Sequence, residues 1–468
     1  MPYIGTYVGK SPSVETAAKT DAYTVIATDD GKTILCSAAS ADYAVALTAA
    51  ATLGNGFTIT LKKSDATKFM ITINPNSTET IDGLLDLKLR NEHSEVTLIC
   101  DGSNFHIISH ANVAIEYNAI ENASFTVDQY GHVTRSGLQN SSLGIQDRWF
   151  YMGGASPPAI WTYSVESNGG TDGKSKWGKW LCTTGGSPDA TDQGNIRQTI
   201  IGNNGGGFLG TDGLWENGVL SMDVIGHLNT PDAPYVLAIG VKTLQGTARQ
   251  YIGHVTITTD AVWQRVSLVI PEDSTADIDP GTGLDWQIGI GLIGGSSRLA
   301  TANTWENNVA NVSNTSGSQN WGATANNYLG IANVKLQPGQ IATPYIPRTY
   351  EEEFDICEYY FQKFHLVDGT AMCIARTEST VLSVGNIFFH RELRAAPTIV
   401  TTGTATDYQV HHSGETNTAC SSVPSIYYGG QTTHTSVLFR VSSGLVIDEP
   451  AQNQGAAADT FLAFSAEI

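Results

Sequence analysis

The sequence predicts an all-β protein of several domains: β-sandwiches, with a central jelly roll, and one short helix leading into a C-terminal β-sandwich tip. Three observations carry this. Short segments rich in Thr, Ser, Val and Ile recur along the chain, separated by Asn-Gly, Asp-Gly and Gly-Gly pairs that punctuate strands and tight turns. Glycine reaches 48 residues while only 15% of residues are charged, a composition that suits a rigid extended assembly better than a free cytosolic enzyme. A helical period is sustained only after Thr349. At 468 residues the chain has room for about three domains.

A formal charge of −20, with no clustered Lys or Arg, argues against nucleic acid, because phosphate binding needs a basic surface to release counterions. No apolar run approaches the length of a membrane span. The opening MPYIGTYVGK lacks the apolar core of a secretory leader, so synthesis in a cytoplasm is expected. Cys36, Cys100, Cys182, Cys357, Cys373 and Cys420 show no CxxC and no Cys/His spacing suited to zinc, and read as buried free thiols. Asp277 and Asp279, with Gly283 and Asp285, offer the oxygen ligands calcium takes, but their spacing fails the EF-hand pattern. They read as an acidic loop, and neither metal nor cofactor is expected.

Taken in order, residues 1–20 hold little that could form a core. Tyr3, Ile4 and Tyr7 make a short apolar peptide, either a disordered terminus or an arm that orders only against a partner. Residues 21–112 read as a small β domain: YTVIAT, KTILCSA, YAVALT, FTITLKK, FMITINP and EVTLICDG alternate as sheets with one wet face do, and Asp30-Gly31, Asn55-Gly56 and Asp101-Gly102 supply tight turns.

Residues 113–348 hold all nine tryptophans, between Trp149 and Trp321. Strands such as LSMDVIGH, YVLAIGVK, WQIGIGLIG and YLGIANVKL alternate cleanly and predict a two-sheet jelly roll. Trp149, Trp263 and Trp286 sit inside such strands and read as core, where their large apolar area is best used. Trp161, Trp177 and Trp180 lie in the Gly- and Lys-rich segment WTYSVESNGGTDGKSKWGKW. They are candidate sugar-stacking residues, with core filling as the alternative.

Residues 349–468 open with the best helix signal in the chain. Thr349 and Glu352 form a capping box, Glu351 to Asp355 place acid at the positive end of the helix dipole, and Lys363 and His365 place base at the other. Tyr350, Phe354, Cys357, Phe361 and Phe364, spaced four, three, four and three, predict one apolar stripe on a helix that hinges two domains. About two heptads cannot hold chains together unaided. Short strands follow, ending in TFLAFSAEI, which reads as a strand docked in a sheet. The polar loops between them carry Tyr408, His411, Tyr427 and Tyr428 as candidate glycan contacts, since aromatic and amide residues on exposed loops suit adaptable recognition.

Several stretches together resemble the modular appendage proteins of tailed bacteriophages, the tail fibres and related host-attachment proteins. Asn122-Ala-Ser-Phe125, followed by Asp147-Arg148-Trp149, is similar to the opening of their galactose-binding-like, carbohydrate-module-like sandwich, although AIENASF stands where that family usually has two or three asparagines. Leu336-Gln337-Pro338-Gly339, Ala342-Thr343-Pro344 and Cys357 through Tyr360 resemble its closing strand and helix, with Lys335 and the lack of an acid before Pro338 departing from the pattern. Phe388, Phe389, Arg394, Ala395-Ala396-Pro397-Thr398 and the terminal FSAEI resemble the tip domain that often follows, and MPYIG resembles the N-terminal peptide of some phage fibres.

The resemblance implies a homotrimer in the virion, fixed to other virion proteins through its N-terminal portion, with Tyr3, Ile4 and Tyr7 as anchors. Its distal end would meet a host-surface glycan or outer-membrane receptor. It also gives the Tyr350 to Phe364 stripe a second destination, a seam around a threefold axis. Two classes of function follow, a non-enzymatic adhesin whose repeated weak sites gain avidity and a depolymerase with paired carboxylates. Glu166, Asp172, Asp212 and Glu216 sit in a region dense in Gly and Asn and read as turn residues, and neither a long parallel β-helix repeat nor a GxSxG elbow is present. The expectation is therefore a binding protein that is not an enzyme, with a depolymerase, or a head or baseplate fibre, as the alternative.

Overall fold

Alternating strands without helices to cover them can bury their apolar sides only against other strands. The computed structural model describes residues 13–467, apart from 66–68, 84–85, 90–92, 112–117, 132–133, 140–141, 155–156, 203–207, 209–214, 216, 231, 245–247, 277–283, 308–313, 367, 413–415, 429 and 458. Tyr3, Ile4 and Tyr7 lie outside the described residues, as do Asp277, Asp279, Gly283 and the Asp285 side chain. Within them the chain is all-β and multidomain, as the sequence predicts.

The N-terminal unit runs through β1 (Ser13–Lys19), β2 (Tyr23–Val25), β3 (Lys32–Cys36), β4 (Tyr43–Leu47), a one-turn helix α1 (Ala50–Leu53), β5 (Thr58–Lys63), β6 (Ile71–Asn74), β7 (Leu87–Leu89), β8 (Glu95–Cys100) and β9 (Phe105–Ala111). These strands do not pair in chain order. Strands β1, β3 and β5 are parallel neighbours in one sheet, and β2, β4 and β6 are parallel neighbours in a second. The chain therefore winds alternately between two sheets, and only β7, β8 and β9 return antiparallel. Of the three Gly turns, Asp101-Gly102 alone joins a hairpin, with the Asp101 carboxylate accepting from the amides of Ser103 and Asn104 at 2.7 Å each. Ile34, Val45, Ile59, Leu61, Ile71 and Leu98 meet between the sheets.

The central domain comprises β10 (Thr134–Leu138), β11 (Ser142–Gln146), β12 (Trp149–Gly154), β13 (Ile160–Gly169), β14 (Ser175–Thr184), β15 (Gln193–Ile201), β16 (Gly218–His227), β17 (Tyr235–Thr243), β18 (Arg249–Ile257), β19 (Gln264–Ile270), β20 (Leu284–Gly294), β21 (Leu299–Ala300), β22 (Thr304–Asn307), β23 (Asn314–Thr315) and β24 (Tyr328–Pro338). Two antiparallel sheets, ordered β10-β13-β14-β24-β16-β19 and β11-β12-β15-β20-β17-β18-β22, enclose one apolar core. Neighbours far apart in sequence, such as β14 and β24, make this a sandwich of jelly-roll type.

After α2 (Tyr350–Glu358) come β25 (Phe361–Leu366), β26 (Ala371–Ser379), β27 (Leu382–Phe388), β28 (Thr398–Thr401), β29 (Tyr408–His412), β30 (Thr416–Tyr428), β31 (His434–Val441), β32 (Pro450–Gly455) and β33 (Thr460–Ser465). The capping box is present: Glu352 N donates to Thr349 Oγ1 at 3.2 Å, and Thr349 N to Glu352 Oε2 at 2.8 Å. The helix, however, stops at Glu358. Phe361 and Phe364 belong to β25, held antiparallel to β33 with Phe361 opposite Ser465, so the predicted five-residue helical stripe and the basic C-terminal turn do not form. The terminal strand β33 lies between β25 and β28, docked as expected. The other six strands close into a barrel, β26-β27-β31-β30-β29-β32, where two open sheets were expected, because β32 pairs back onto β26.

Candidate functional site

The sandwich tryptophans divide by strand parity. Trp161 and Trp180 face inward and are fully buried, Trp161 opposite Cys182 and Trp180 opposite Tyr163, so neither can stack on a sugar. Trp177, three residues before Trp180, must point the other way. It is half-buried on the outer face, lying over Gly169 and Gly330, where an added Cβ would come within 2.0 Å and 2.4 Å of its ring. Trp263 meets it edge-on at 5.2 Å rather than entering the core, while Trp149 and Trp286 are core as expected.

The motif residues behind the family resemblance converge on one buried joint between sandwich and tip. Trp149 stacks on Phe125 at 4.9 Å and donates its indole N–H to Asn122 O at 2.9 Å. Arg148, with a left-handed φ of 68°, donates to Glu121 Oε2 at 2.5 Å, and its guanidinium lies over the Tyr360 ring. Its amide donates to Glu467 Oε1 at 3.1 Å, and the other oxygen of Glu467 takes the Tyr130 hydroxyl. Glu353 of α2 accepts from the Asn122 amide and lies 3.3 Å from Arg348. Asp147 accepts from Gln129 N and Nε2 at 2.6 and 2.8 Å. Burial, reinforced by Glu467, pushes Asp147 up to about 7. Burial also raises Glu353 and Glu467. The joint is structural, and it absorbs part of the expected seam. Cys357 is buried, Phe361 stacks on Tyr130 at 4.3 Å, and Phe364 leans on Phe464, which leaves Phe354 half-buried and Tyr350 54% exposed.

All six cysteines are buried free thiols, as read from the sequence. Tyr408, a candidate glycan contact, is instead fully buried in the barrel, its hydroxyl donating to Phe461 O at 2.6 Å and accepting from Thr402 N at 3.0 Å. His411 is half-buried and bonded through Nδ1 to Asn417 Oδ1 at 2.8 Å. Tyr427 and Tyr428 meet edge-to-face at 4.5 Å at the end of β30. Tyr427 donates to Glu378 Oε2 at 2.6 Å, while Tyr428 is 68% exposed.

Tyr428 stands on the wall of an open groove of about 690 Å³ running across β26, β27, β31 and the end of β30 on the outside of the barrel. The register places Phe388 opposite His434, Asn386 opposite Ser436 and Ser436 opposite Tyr428 on adjacent strands. Ile374 is 82% exposed and Phe388 71%, so with Tyr428 three large apolar side chains face solvent in one place. Between them are Arg376, Glu378, Asn386 and Ser436, with Ser436 Oγ donating to Asn386 Oδ1 at 2.7 Å. The Tyr427 hydroxyl first, then Arg376, holds Glu378 below the usual carboxylate range. Apolar faces beside fixed donors and acceptors make a surface able to hold a ring with one apolar face and a hydroxylated rim. Sequence reading found the Tyr427-Tyr428 pair and missed Ile374, Phe388 and Arg376. The available signal was TAMCIART, where both strand faces carry apolar residues.

No protein-family model and no curated protein matches this chain. Among solved structures it is similar to a family 4 carbohydrate-binding module, at 12% identity over 47% of this chain and 99% of that one, TM-score 0.23. It is also similar to a xylanase 10B fragment of Clostridium thermocellum that joins a carbohydrate-binding module to a hydrolase module, at 10% identity over 50% of this chain and 30% of that one, TM-score 0.24. A third similarity is to the enzymatically active domain of tailspike protein 4 of bacteriophage CBA120, at 10% identity over 70% of this chain and 38% of that one, TM-score 0.27.

Proposed function

We propose that this chain is a non-catalytic attachment protein, the tail-fibre component of a tailed-phage virion, which holds host-surface glycan in the groove of its C-terminal barrel. In this reading it works as a homotrimer, tied to other virion proteins through its N-terminal arm, with three shallow sites acting together so that weak single-site affinity becomes avidity. The observation that carries the reading is the exposure of Ile374, Phe388 and Tyr428 together around the Arg376–Glu378 pair, apolar faces rimmed by polar groups in one groove. Glu378 supports binding over cleavage, because a glycosidase acid needs a raised pKa and Glu378 is held low.

The test is to incubate the purified full chain with host envelope polysaccharide, measuring retention and new reducing ends together. Retention without release of oligosaccharide is expected. Release would replace the adhesin with a depolymerase, and absence of retention would remove the attachment reading.

A further inference from the structure

The groove's charge state says which sugars it can take, given the attachment reading above. Arg376 and Glu378 line the groove, and Asp448 stands beside it. Arg376 Nη2 lies 3.1 Å from Glu378 Oε1, and Arg376 Nη1 lies 3.6 Å from Asp448 Oδ1, in the approach to β32. The second Glu378 oxygen is already taken by the Tyr427 hydroxyl at 2.6 Å. Among the described residues that line the groove Arg376 is the cation, and it stands between Glu378 on the lining and Asp448 beside it, so the cluster of three is negative on balance. Its remaining polar groups, Asn386 and Ser436, are neutral.

We propose that the groove selects uncharged sugar units and rejects uronates, sialates and phosphorylated sugars. A neutral ring lays its apolar face against Tyr428 and Phe388 while adjacent hydroxyls accept from Arg376 and donate to Glu378, both charge-assisted bonds. An anionic sugar must reach the same guanidinium by entering the field of Glu378 and Asp448, and like charges a few ångströms apart at an exposed surface lower binding by roughly fivefold each. The net charge of −20 adds a longer-range repulsion that salt screens. Neutral ligands then bind with little salt dependence.

The test uses the full chain on an array that carries neutral and acidic glycans in matched series, read at low and high salt, alongside Tyr428→Ala and Glu378→Gln. Neutral glycans are expected to be retained at least about tenfold better than acidic partners of the same core. Glu378→Gln, which keeps an acceptor for Tyr427 and releases the Arg376 charge, should raise retention of the acidic series by about tenfold. Acidic glycans retained as well as neutral ones, in a Tyr428-dependent way, would overturn the selectivity and leave the attachment reading standing. So would an unchanged preference in Glu378→Gln. Retention that is absent, or indifferent to Tyr428→Ala, would overturn the attachment reading itself, and the selectivity with it. If Tyr428→Ala also alters the sedimentation of the chain while glycan retention is absent, the face is an interface between copies.

Discussion

Arg148 and Tyr360 are joined twice. The guanidinium of Arg148 lies 3.5 Å from the centre of the Tyr360 ring, and both side chains donate to one carboxylate, Arg148 to Glu121 Oε2 and the Tyr360 hydroxyl to Glu121 Oε1 at 2.9 Å. Arg148 comes from the sandwich, immediately before β12, and Tyr360 from the exit of α2, so this contact fastens the tip to the sandwich. Arg148→Met removes the central cation from a site holding Glu121 and Glu467, and should cost roughly 3–5 kcal/mol. Arg148→Lys keeps the charge but loses the planar fork and most of the stacking, and should recover only part of that. Thermal denaturation followed by tryptophan fluorescence, which reports the sandwich alone because every Trp lies between Trp149 and Trp321, would show the loss.

The same joint makes stability depend on pH. Asp147, at about 7 in the folded chain against an ordinary value of 3.8, binds its proton more tightly folded than unfolded. Its contribution is therefore fully present below about pH 4 and is lost as pH rises through 7. Glu353 and Glu467 shift in the same direction. The melting temperature should fall between about pH 4 and pH 7, and Asp147→Asn should flatten that slope. A melting temperature that rises over this range would contradict the raised, buried Asp147.

Thr349→Ala removes the acceptor for the Glu352 amide and should destabilise the tip by about 1 kcal/mol, visible as a lower urea midpoint. Glu352→Gln retains an acceptor for the Thr349 amide and should cost less.

Trp180→Ala empties a fully buried site and should cost roughly 3–5 kcal/mol. Trp177→Ala, at a half-buried position on the outer face, should cost distinctly less in the same denaturation experiment.

Signals that depend on near neighbours were legible in the sequence, and those set by distant pairing were not. The Thr349 and Glu352 cap could be read because both partners lie within one turn. The end of α2 could not, because Phe361 and Phe364 satisfy a helical spacing equally well, and what makes them a strand is β33, about a hundred residues away. Winding of the N-terminal strands between two mixed sheets left no trace, since a short alternating strand looks the same whichever neighbour it finds. Trp177 and Trp180 carried their own answer: three residues apart on one strand they take opposite faces, so at most one could meet a ligand. In the groove, Ile374 and Phe388 were hidden by the rule that apolar strand residues are core, although alternation with buried Cys373, Ala375 and Ile387 is what turns them outward.

The placement of recognition on the barrel, not on the sandwich tryptophans, is tested most directly by comparing glycan retention by the full chain carrying Tyr428→Ala with Phe388→Ala against the chain carrying Trp177→Ala with Trp263→Ala. With both variants confirmed folded, the barrel pair should lose about tenfold or more in retention, as expected for two lost stacking faces, while the sandwich pair binds like the unaltered chain. Full retention by the barrel pair and loss by the sandwich pair would contradict the account.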